Sequence, residues 1–416
     1  MSNYQKFIIA LCFILNFNDG IDIMMISFAS TEIIAEWGLT KTQMGYVFSA
    51  ALAGMTLGCF LIAPLADKIG RRKTFLWSLA IEVVGMIAIV FSNHYWILLF
   101  MRFITGLGIG GLLPTMAATA AEFSTSKTKE FNVGLVQGGW PVGAIITGIF
   151  CAYFIPLHGW RMAFLIAAII SVIMFVLVYL ALPNSEEFML NNPSKYSLIE
   201  INSLRKKMNK TSLKKLPETI VQTETVNYKL LLNKTFFSKT LKSWLAVFSG
   251  FLTLYTILSW IPTIAQDAGL AFSKATYVGV SLNIGAAIGS GLVGYIGGRM
   301  GMQKAILGFM VLAFGMMNIY ANYPVLNIFL FLQVFLIGVF VQGGFNGIYP
   351  FLSNIYPSKI RATGIGFSVG FGRFGAILGP FLFGYFLDLG WSIQTLFVLF
   401  SIPLLLMGIA VWLIKS

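Results

Sequence analysis

"EWGLTKTQMGYVFSAALAGMTLGCFLIAPLADKIGRRK", residues 36–73, is one copy of an internal repeat. The second copy, "DAGLAFSKATYVGVSLNIGAAIGSGLVGYIGGRMGMQK", occupies residues 267–304 and begins 231 positions later. At that offset, Gly38, Gly54, Gly58, Gly70 and Lys73 pair with Gly269, Gly285, Gly289, Gly301 and Lys304. Further along, at an offset of 232, Gly106, Gly134, Gly138 and Gly143 pair with Gly338, Gly366, Gly370 and Gly375. Such regular matches predict two copies of one structural unit.

The composition predicts the environment of this repeat. Of the 416 residues, 57% are hydrophobic and 10% are charged, and the mean hydropathy is +0.83. A soluble domain carries about 25% charged residues, so the chain is not a soluble globular protein. Apolar runs of about 20 residues, the length that crosses a bilayer core as a helix, recur along it. We therefore expect an all-α polytopic membrane protein with twelve transmembrane helices, near residues 7–34, 43–66, 74–92, 95–121, 131–155, 160–182, 242–265, 275–297, 303–321, 325–350, 361–387 and 391–414.

One long polar segment divides these helices six and six. It predicts an N-terminal bundle (1–182), a cytoplasmic linker (183–241) and a C-terminal bundle (242–416). Because six helices separate the two copies, both have the same orientation, which gives two pseudo-symmetric six-helix bundles related by an axis along the membrane normal. That symmetry favours transport by alternating access.

The distribution of charge predicts the topology. The chain has a net charge of +13, and 22 of its 28 Lys and Arg residues fall on one side of the predicted membrane, against 3 on the other. The positive-inside rule places both termini and the linker in the cytoplasm. The positive charge is thus topological, and we expect a lipid bilayer, not a nucleic acid, as the partner.

Several motifs carry a family resemblance. "APLADKIGRRK" (63–73), "RFITGLGIGG" (102–111) and "GGWPVGAIITG" (138–148) resemble signatures of the major facilitator superfamily. "DGID" (19–22), "EWGLT" (36–40) and "GRFGAILGP" (372–380) look similar to the aromatic acid/proton symporters within it. Ala63 departs from the signature, which has glycine there.

The resemblance implies the major facilitator fold and proton-coupled import of a small organic anion across a bacterial inner membrane. Benzoate, hydroxybenzoates, protocatechuate, muconate and nicotinate are the substrates it implies. It implies no cofactor other than the proton as coupling ion. No ATP-binding or catalytic motif accompanies the helices, so we expect a transporter, not an enzyme, and we expect a monomer.

Two acids lie within the first apolar run. Asp19 and Asp22 are three residues apart, so a helix places them on one face. Ionisable residues inside a membrane are costly and usually mark function, and we predict that this pair binds a coupling proton. The alternative is that one acid only bonds a neighbouring helix. Arg102 either biases these acids as part of proton coupling or only ties the fourth helix to the first.

A buried arginine is the candidate anion receptor. The guanidinium of Arg373, in the eleventh span, offers two parallel donors that match a carboxylate. We predict that it binds the substrate carboxylate; the alternative is a structural pair with another helix. Further polar residues within spans are candidates for substrate binding, namely Gln137, Asn283, Gln342 and Asn346. Glu82, a lone acid in the third span, is interpreted as structural.

A third set of charges lies at the cytoplasmic boundary. We predict a cytoplasmic gate there, formed by Asp67, Lys68, Arg71, Arg72 and Glu122. Anchoring by the positive-inside rule explains some of the basic residues but does not require Asp67 and Glu122.

Three other functions compete with the leading prediction. A sugar or polyol symporter and a drug/proton antiporter would share the fold, but a neutral substrate leaves Arg373 without an anion to bind. A membrane sensor should need an output domain, which the polar linker does not supply.

Overall fold

The structure is a computed structural model that describes residues 1–192, 195–216, 231, 233–322, 328–356 and 361–414. Residues 193–194, 217–230 and 232 of the predicted linker lie outside the described residues, as do Lys359 and Lys415, which entered the charge count. The helices are α1 (Asn3–Trp37), α2 (Lys41–Leu61), α3 (Leu65–Ile69), α4 (Arg71–Val90), α5 (Tyr95–Glu122), α6 (Lys129–Gln137), α7 (Gly139–Ala181), α8 (Glu186–Leu190), α9 (Leu198–Lys207), α10 (Lys234–Asp267), α11 (Phe272–Met300), α12 (Met302–Asn322), α13 (Ile328–Asn346), α14 (Ile348–Ile355), α15 (Arg361–Asp388) and α16 (Ile393–Trp412).

The helices confirm the predicted all-α membrane class. Eleven apolar helical stretches of the described chain are long enough to cross a bilayer. One of them, Lys129–Ala181, has 53 residues and leaves helical geometry at Gly159, where φ is 76° and ψ is 164°. When the parts of this stretch before and after Gly159 are counted separately, the eleven stretches give the twelve predicted crossings.

Several predicted spans have different bounds in the structure, and two of them illustrate the reason. The span predicted over 43–66 ends at Leu61, and a separate short helix follows Pro64, whose backbone lacks an N–H to continue the helix. The span predicted over 325–350 instead comprises α13 and α14. Both changes fall at helix ends, where a hydropathy pattern carries little positional information.

The internal repeat is visible in the backbone. Of the described residues, six glycines have a positive φ angle: Gly38, Gly70, Gly159, Gly269, Gly301 and Gly390. They form three pairs that are each 231 residues apart. Positive φ is readily adopted by glycine and strained in most other residues, so the chain turns at matching points in the two copies.

Close helix contacts also recur at the matched glycines. A Cβ atom on Gly54 of α2 would collide with the carbonyl oxygen of Phe103 in α5, and one on Gly285 of α11 with that of Phe335 in α13. Gly143 and Gly375 likewise lie against the carbonyl oxygens of Phe17 and Phe248. Small residues let membrane helices approach this closely, and the same approaches occur in both copies.

Contacts between Cα atoms divide the chain into two compact units. The first contains Met1–Asp22, Gly54–Gly143 and Phe164–Glu224, and the second contains Ile23–Ala53, Ala144–Ala163 and Thr225–Ser416. The helix α1 therefore contributes to both units, with Asp22 as its last residue in the first. The predicted division into bundles 1–182 and 242–416 stays a prediction.

The described beginning of the linker is folded in the first unit. Ile201, Leu204 and Met208, on and just after α9, are buried in the same hydrophobic cluster as Ile8 of α1. A capping box begins α9: the Ser197 backbone N–H donates to Glu200 Oε2 at 2.8 Å, and the Glu200 N–H donates to Ser197 Oγ at 3.3 Å. Two hydrogen bonds lower the pKa of Glu200. The bond from the Ser197 backbone has the larger effect, and the bond from the Ser197 hydroxyl has the smaller one.

Candidate functional site

A buried ion pair lies in the first unit where α1 meets α5. Arg102 Nη1 is 2.7 Å from Asp22 Oδ1, and each side chain is 1% exposed. The same nitrogen lies 3.4 Å from the Asp22 backbone carbonyl. Removal of one partner from such a pair leaves an uncompensated buried charge, which costs about 3–5 kcal/mol. Arg102 thus ties the fourth predicted span to the first, a contact that fits both roles considered for it.

Asp19 is buried one helical turn before Asp22. It is fully buried, and among the described residues neither of its carboxyl oxygens has a hydrogen-bond partner. A buried carboxylate without compensating bonds is energetically unfavourable, and such groups commonly bind a proton instead. Asp19 therefore has the environment expected of a group that holds a proton.

Glu82 of α4 joins these acids, which sequence reasoning missed. It is fully buried, and its Oε1 accepts hydrogen bonds from Asn18 Nδ2 at 2.7 Å and Ser171 Oγ at 3.0 Å. Asn18 Nδ2 also donates to Ser171 Oγ at 3.0 Å. The available signal was that an acid within a membrane span is a functional candidate by default.

The charges of this cluster do not balance. Across the described chain, the buried charged side chains are Asp19, Asp22, Glu82 and Arg102. Three ionised carboxylates and one guanidinium would leave a net charge of about −2 in a desolvated site, so the cluster favours bound protons. Reversible protonation is the chemistry that this arrangement supports.

The second copy of the repeat lacks this cluster. Positions 231 residues after Asp19 and Asp22 hold Gly250 and Thr253. A Cβ atom on Gly250 would meet the side chains of Met407 and Phe345, and Thr253 Oγ1 donates to the Phe400 carbonyl at 2.6 Å. Helix packing occupies these positions in place of ionisable groups.

Arg373 lies in the second unit, on α15. Its side chain is half-buried. The neighbouring Gly372 and Gly375 both pack against α10, with Val247 and the Phe248 carbonyl closest. The glycines therefore serve the contact between α10 and α15.

The other predicted substrate residues lie in two separate places. In the second unit, Asn346 Nδ2 donates to Ser290 Oγ at 2.6 Å, and Gln342 Nε2 donates to Asn346 Oδ1 at 3.4 Å. Asn283 is fully buried and donates to the Gly279 carbonyl at 2.9 Å. Gln137, at the end of α6 in the first unit, has an exposed side chain.

The family of the chain follows from its match to known sequences. Residues 12–321 and 244–416 match the sequence model of the Major Facilitator Superfamily. The chain belongs to this superfamily. It is therefore a multi-pass membrane transporter and not an enzyme.

Individual relatives agree with this membership. The chain is similar to the 4-hydroxybenzoate transporter PcaK of Acinetobacter baylyi, with 28% identity over 100% of this chain and 92% of the relative. It is also similar to a gallate transporter of Pseudomonas putida, with 27% identity over 98% and 91%. The niacin transporter NiaP of Acinetobacter baylyi is 25% identical over 93% and 88%.

A solved structure shows the same fold. A bacterial homolog of the human lysosomal transporter Spinster, in an inward-facing and unoccupied conformation, matches with a TM-score of 0.74 and 15% identity. The match covers 99% of this chain and 97% of that one, and it confirms the predicted major facilitator fold.

Residues of the predicted gate form ion pairs in the first unit of this transporter. Arg71 Nη2 lies 2.8 Å from Glu122 Oε1, and Arg71 Nη1 lies 2.9 Å from Asp67 Oδ1. Arg72 Nη2 donates to the Tyr179 carbonyl at 2.6 Å, and Lys68 is exposed. These contacts bring Asp67, Arg71 and Glu122 together, and the gating role of the set stays a prediction.

The acids of this transporter are not arranged as a metal site. Across the described residues, no group of three or more His, Cys, Asp or Glu side chains is placed to hold a metal ion. Of the buried carboxyls, Asp22 instead contacts a guanidinium, and Glu82 contacts an amide and a hydroxyl.

Proposed function

We propose that this transporter imports an aromatic or related carboxylate together with protons, by alternating access across a bacterial inner membrane. The substrate class is supported by the similar proteins, whose names specify 4-hydroxybenzoate, gallate and niacin transport. All three compounds carry a carboxylate on an aromatic ring. We further propose that the protein works as a monomer with both termini in the cytoplasm, as the charge asymmetry supports.

One observation carries the proton-coupling part, namely the excess of buried carboxyls over guanidinium in the first unit. When Asp22 is ionised, it holds Arg102. When Asp22 binds a proton, the charge that attracts Arg102 is lost and the contact between α1 and α5 weakens. Protonation thereby changes how strongly two helices are joined, and Asp19 offers a second carboxyl for the proton one turn away.

The substrate part assigns the anion to the second half of the chain. Arg373 receives the carboxylate because a guanidinium in a low-dielectric site binds a carboxylate through two charge-assisted hydrogen bonds. Asn283, Gln342 and Asn346 supply amide groups for ring substituents from the same half. The role predicted for Gln137, whose side chain is exposed, stays a prediction. Anion and proton then bind at separate groups, so each can favour the same conformational change.

Uptake into proteoliposomes with an imposed pH gradient tests this proposal. We expect accumulation of 4-hydroxybenzoate, gallate or nicotinate that proton uncouplers abolish, and no accumulation of sugars. Asp22→Asn should lose accumulation more than it loses exchange, because exchange needs no net proton release. Glu187→Gln makes the same chemical change at an exposed linker position and serves as the control.

Two results would contradict the proposal. Accumulation of a sugar without any carboxylate refutes the substrate class. Accumulation that persists in the presence of an uncoupler, or in Asp22→Asn, refutes proton coupling at this site.

A further inference from the structure

Glu82 is a buried acid that the proposed mechanism does not use. We infer that Glu82 is a third proton-binding carboxyl of the coupling site, beside Asp19 and Asp22, positioned by Asn18 and Ser171. This inference rests on the proposed function, because it extends proton binding from α1 to α4 and α7.

Two helices, α1 and α7, hold the Glu82 carboxyl of α4 in one orientation. Asn18 of α1 and Ser171 of α7 both donate to Oε1, at 2.7 and 3.0 Å. Among the described residues, Oε2 has no hydrogen-bond partner. The two oxygens are therefore unequal: Oε1 is fixed by two donors, and Oε2 is the atom that gains or loses the proton.

The charge balance of the site requires more than one proton. Arg102 compensates one carboxylate, and its partner is Asp22. Asp19 and Glu82 have no cation of their own among the buried charged residues of the described chain. With both of them ionised the site carries a net buried charge, so its lowest-energy states hold protons on Asp19 and Glu82.

The buried acids repel one another electrostatically, so Glu82 affects proton binding by Asp19 and Asp22. Ionised Asp22 repels a charge on Glu82, and ionised Glu82 repels a charge on Asp19. The titratable groups that interact with Glu82 are Asp19 and Asp22, both on α1. Asn18 and Ser171 contribute hydrogen bonds but no charge.

The link through Asn18 explains why this carboxyl responds to movement of α1. Asn18 directly precedes Asp19, and its amide contacts both Glu82 and Ser171. A displacement of α1 that separates Asp22 from Arg102 also moves the amide away from Glu82. Loss of that donor changes the preference of Glu82 between its ionised and neutral forms.

A titration of the purified protein without substrate tests the inference. Two quantities are measured. The first is the number of protons released between about pH 6 and pH 9, which lies above the range in which exposed acids titrate. The second is the carboxyl band, which is followed by infrared difference spectroscopy. We expect Glu82→Gln to release one proton fewer per protein and to lose part of the carboxyl band. Glu187→Gln should match the wild type.

A second variant keeps the test valid if Glu82→Gln fails to fold. Ser171→Ala retains every carboxyl but removes one donor to Oε1. We expect an unchanged proton count with the midpoint moved by about one pH unit, as loss of one hydrogen bond to a charged group predicts.

The outcomes separate the two proposals. Glu82→Gln with the wild-type proton count and band, or Ser171→Ala with the wild-type midpoint, overturns the role of Glu82. A failure of proton-coupled uptake, with the titration changed as expected, refutes only the proposed function.

Discussion

One carboxylate joins two helices of the second unit that are far apart in sequence. Asp388, at the end of α15, accepts hydrogen bonds from the backbone N–H groups of Lys41 at 3.0 Å and Thr42 at 2.7 Å. These are the first residues of α2, whose N–H groups have no partner within their own helix. Asp388 therefore caps α2 from another segment, on the side of the membrane predicted to be external.

Substitution of Asp388 should favour opening of this side. Loss of a helix N-cap costs about 1 kcal/mol, with a range of about 0.5–2 kcal/mol. Since 1.4 kcal/mol is a tenfold change in an equilibrium constant, Asp388→Ala should raise the population of an open state about fivefold. The nearby pair of Lys41 and Asp267, whose atoms are 2.6 Å apart and whose side chains are 24% and 39% exposed, remains in this variant.

A cysteine introduced at a buried position would report the opening. Thr263 is fully buried, and its Oγ1 lies 2.7 Å from Ser30 Oγ, so Thr263→Cys should react with a maleimide only when these helices separate. The assay uses solubilised protein with Cys59 replaced by serine, because Cys12 and Cys151 are buried. We expect labelling about five times faster in Asp388→Ala. Asp388→Asn keeps one acceptor oxygen and should show a smaller increase.

The labelling rate gives a clear refutation. A rate equal to that of the Asp388 parent would show that the cap on α2 does not restrain opening. An Asn variant as fast as the Ala variant would show that the charge of the carboxylate, and not its role as an acceptor, matters.

Two further predictions concern stability. Asp22→Asn and Arg102→Gln should each lower the free energy of unfolding by about 3–5 kcal/mol, and the double variant should lose less than the sum of the two losses. Thermal unfolding of the four proteins in a double-mutant cycle measures this coupling. Strictly additive losses would contradict the ion pair. Gly54→Ala should lower the free energy of unfolding by about 1–3 kcal/mol, because its Cβ atom meets the backbone of α5. Gly291→Ala should be neutral, because no atom lies within 4 Å of its Cβ position. Equal unfolding temperatures for the two variants would argue against close packing at Gly54.

The helices were predictable because they depend on local composition and on the repeat. Apolar length gave the spans, and the offset of 231 positions paired Gly70 with Gly301, which have similar φ angles of 93° and 90° in the structure. Both roles considered for Arg102 require it to lie near the first helix, and the structure brings it into contact with Asp22. These features follow from residue type and spacing alone.

The partners of Glu82 and Asp388 were not predictable from the sequence. Glu82 contacts Asn18 and Ser171 across separations of 64 and 89 residues, and Asp388 contacts the start of α2 across about 350 residues. Such contacts depend on the rotation of each helix about its axis, and twelve helices allow many combinations. A lone acid in an apolar run therefore looks the same in the sequence whether it is isolated or belongs to a cluster.

The ionisable cluster in one copy, matched by Gly250 and Thr253 in the other, has an evolutionary consequence. The two copies share their glycine turns and close helix contacts, but the buried acids described here belong to the first copy. Under the proposed function, substitutions that alter cargo recognition in the second half would leave the proton-binding acids of the first half unchanged. Such a division of labour would let a lineage acquire new compounds while its energy source stays the same.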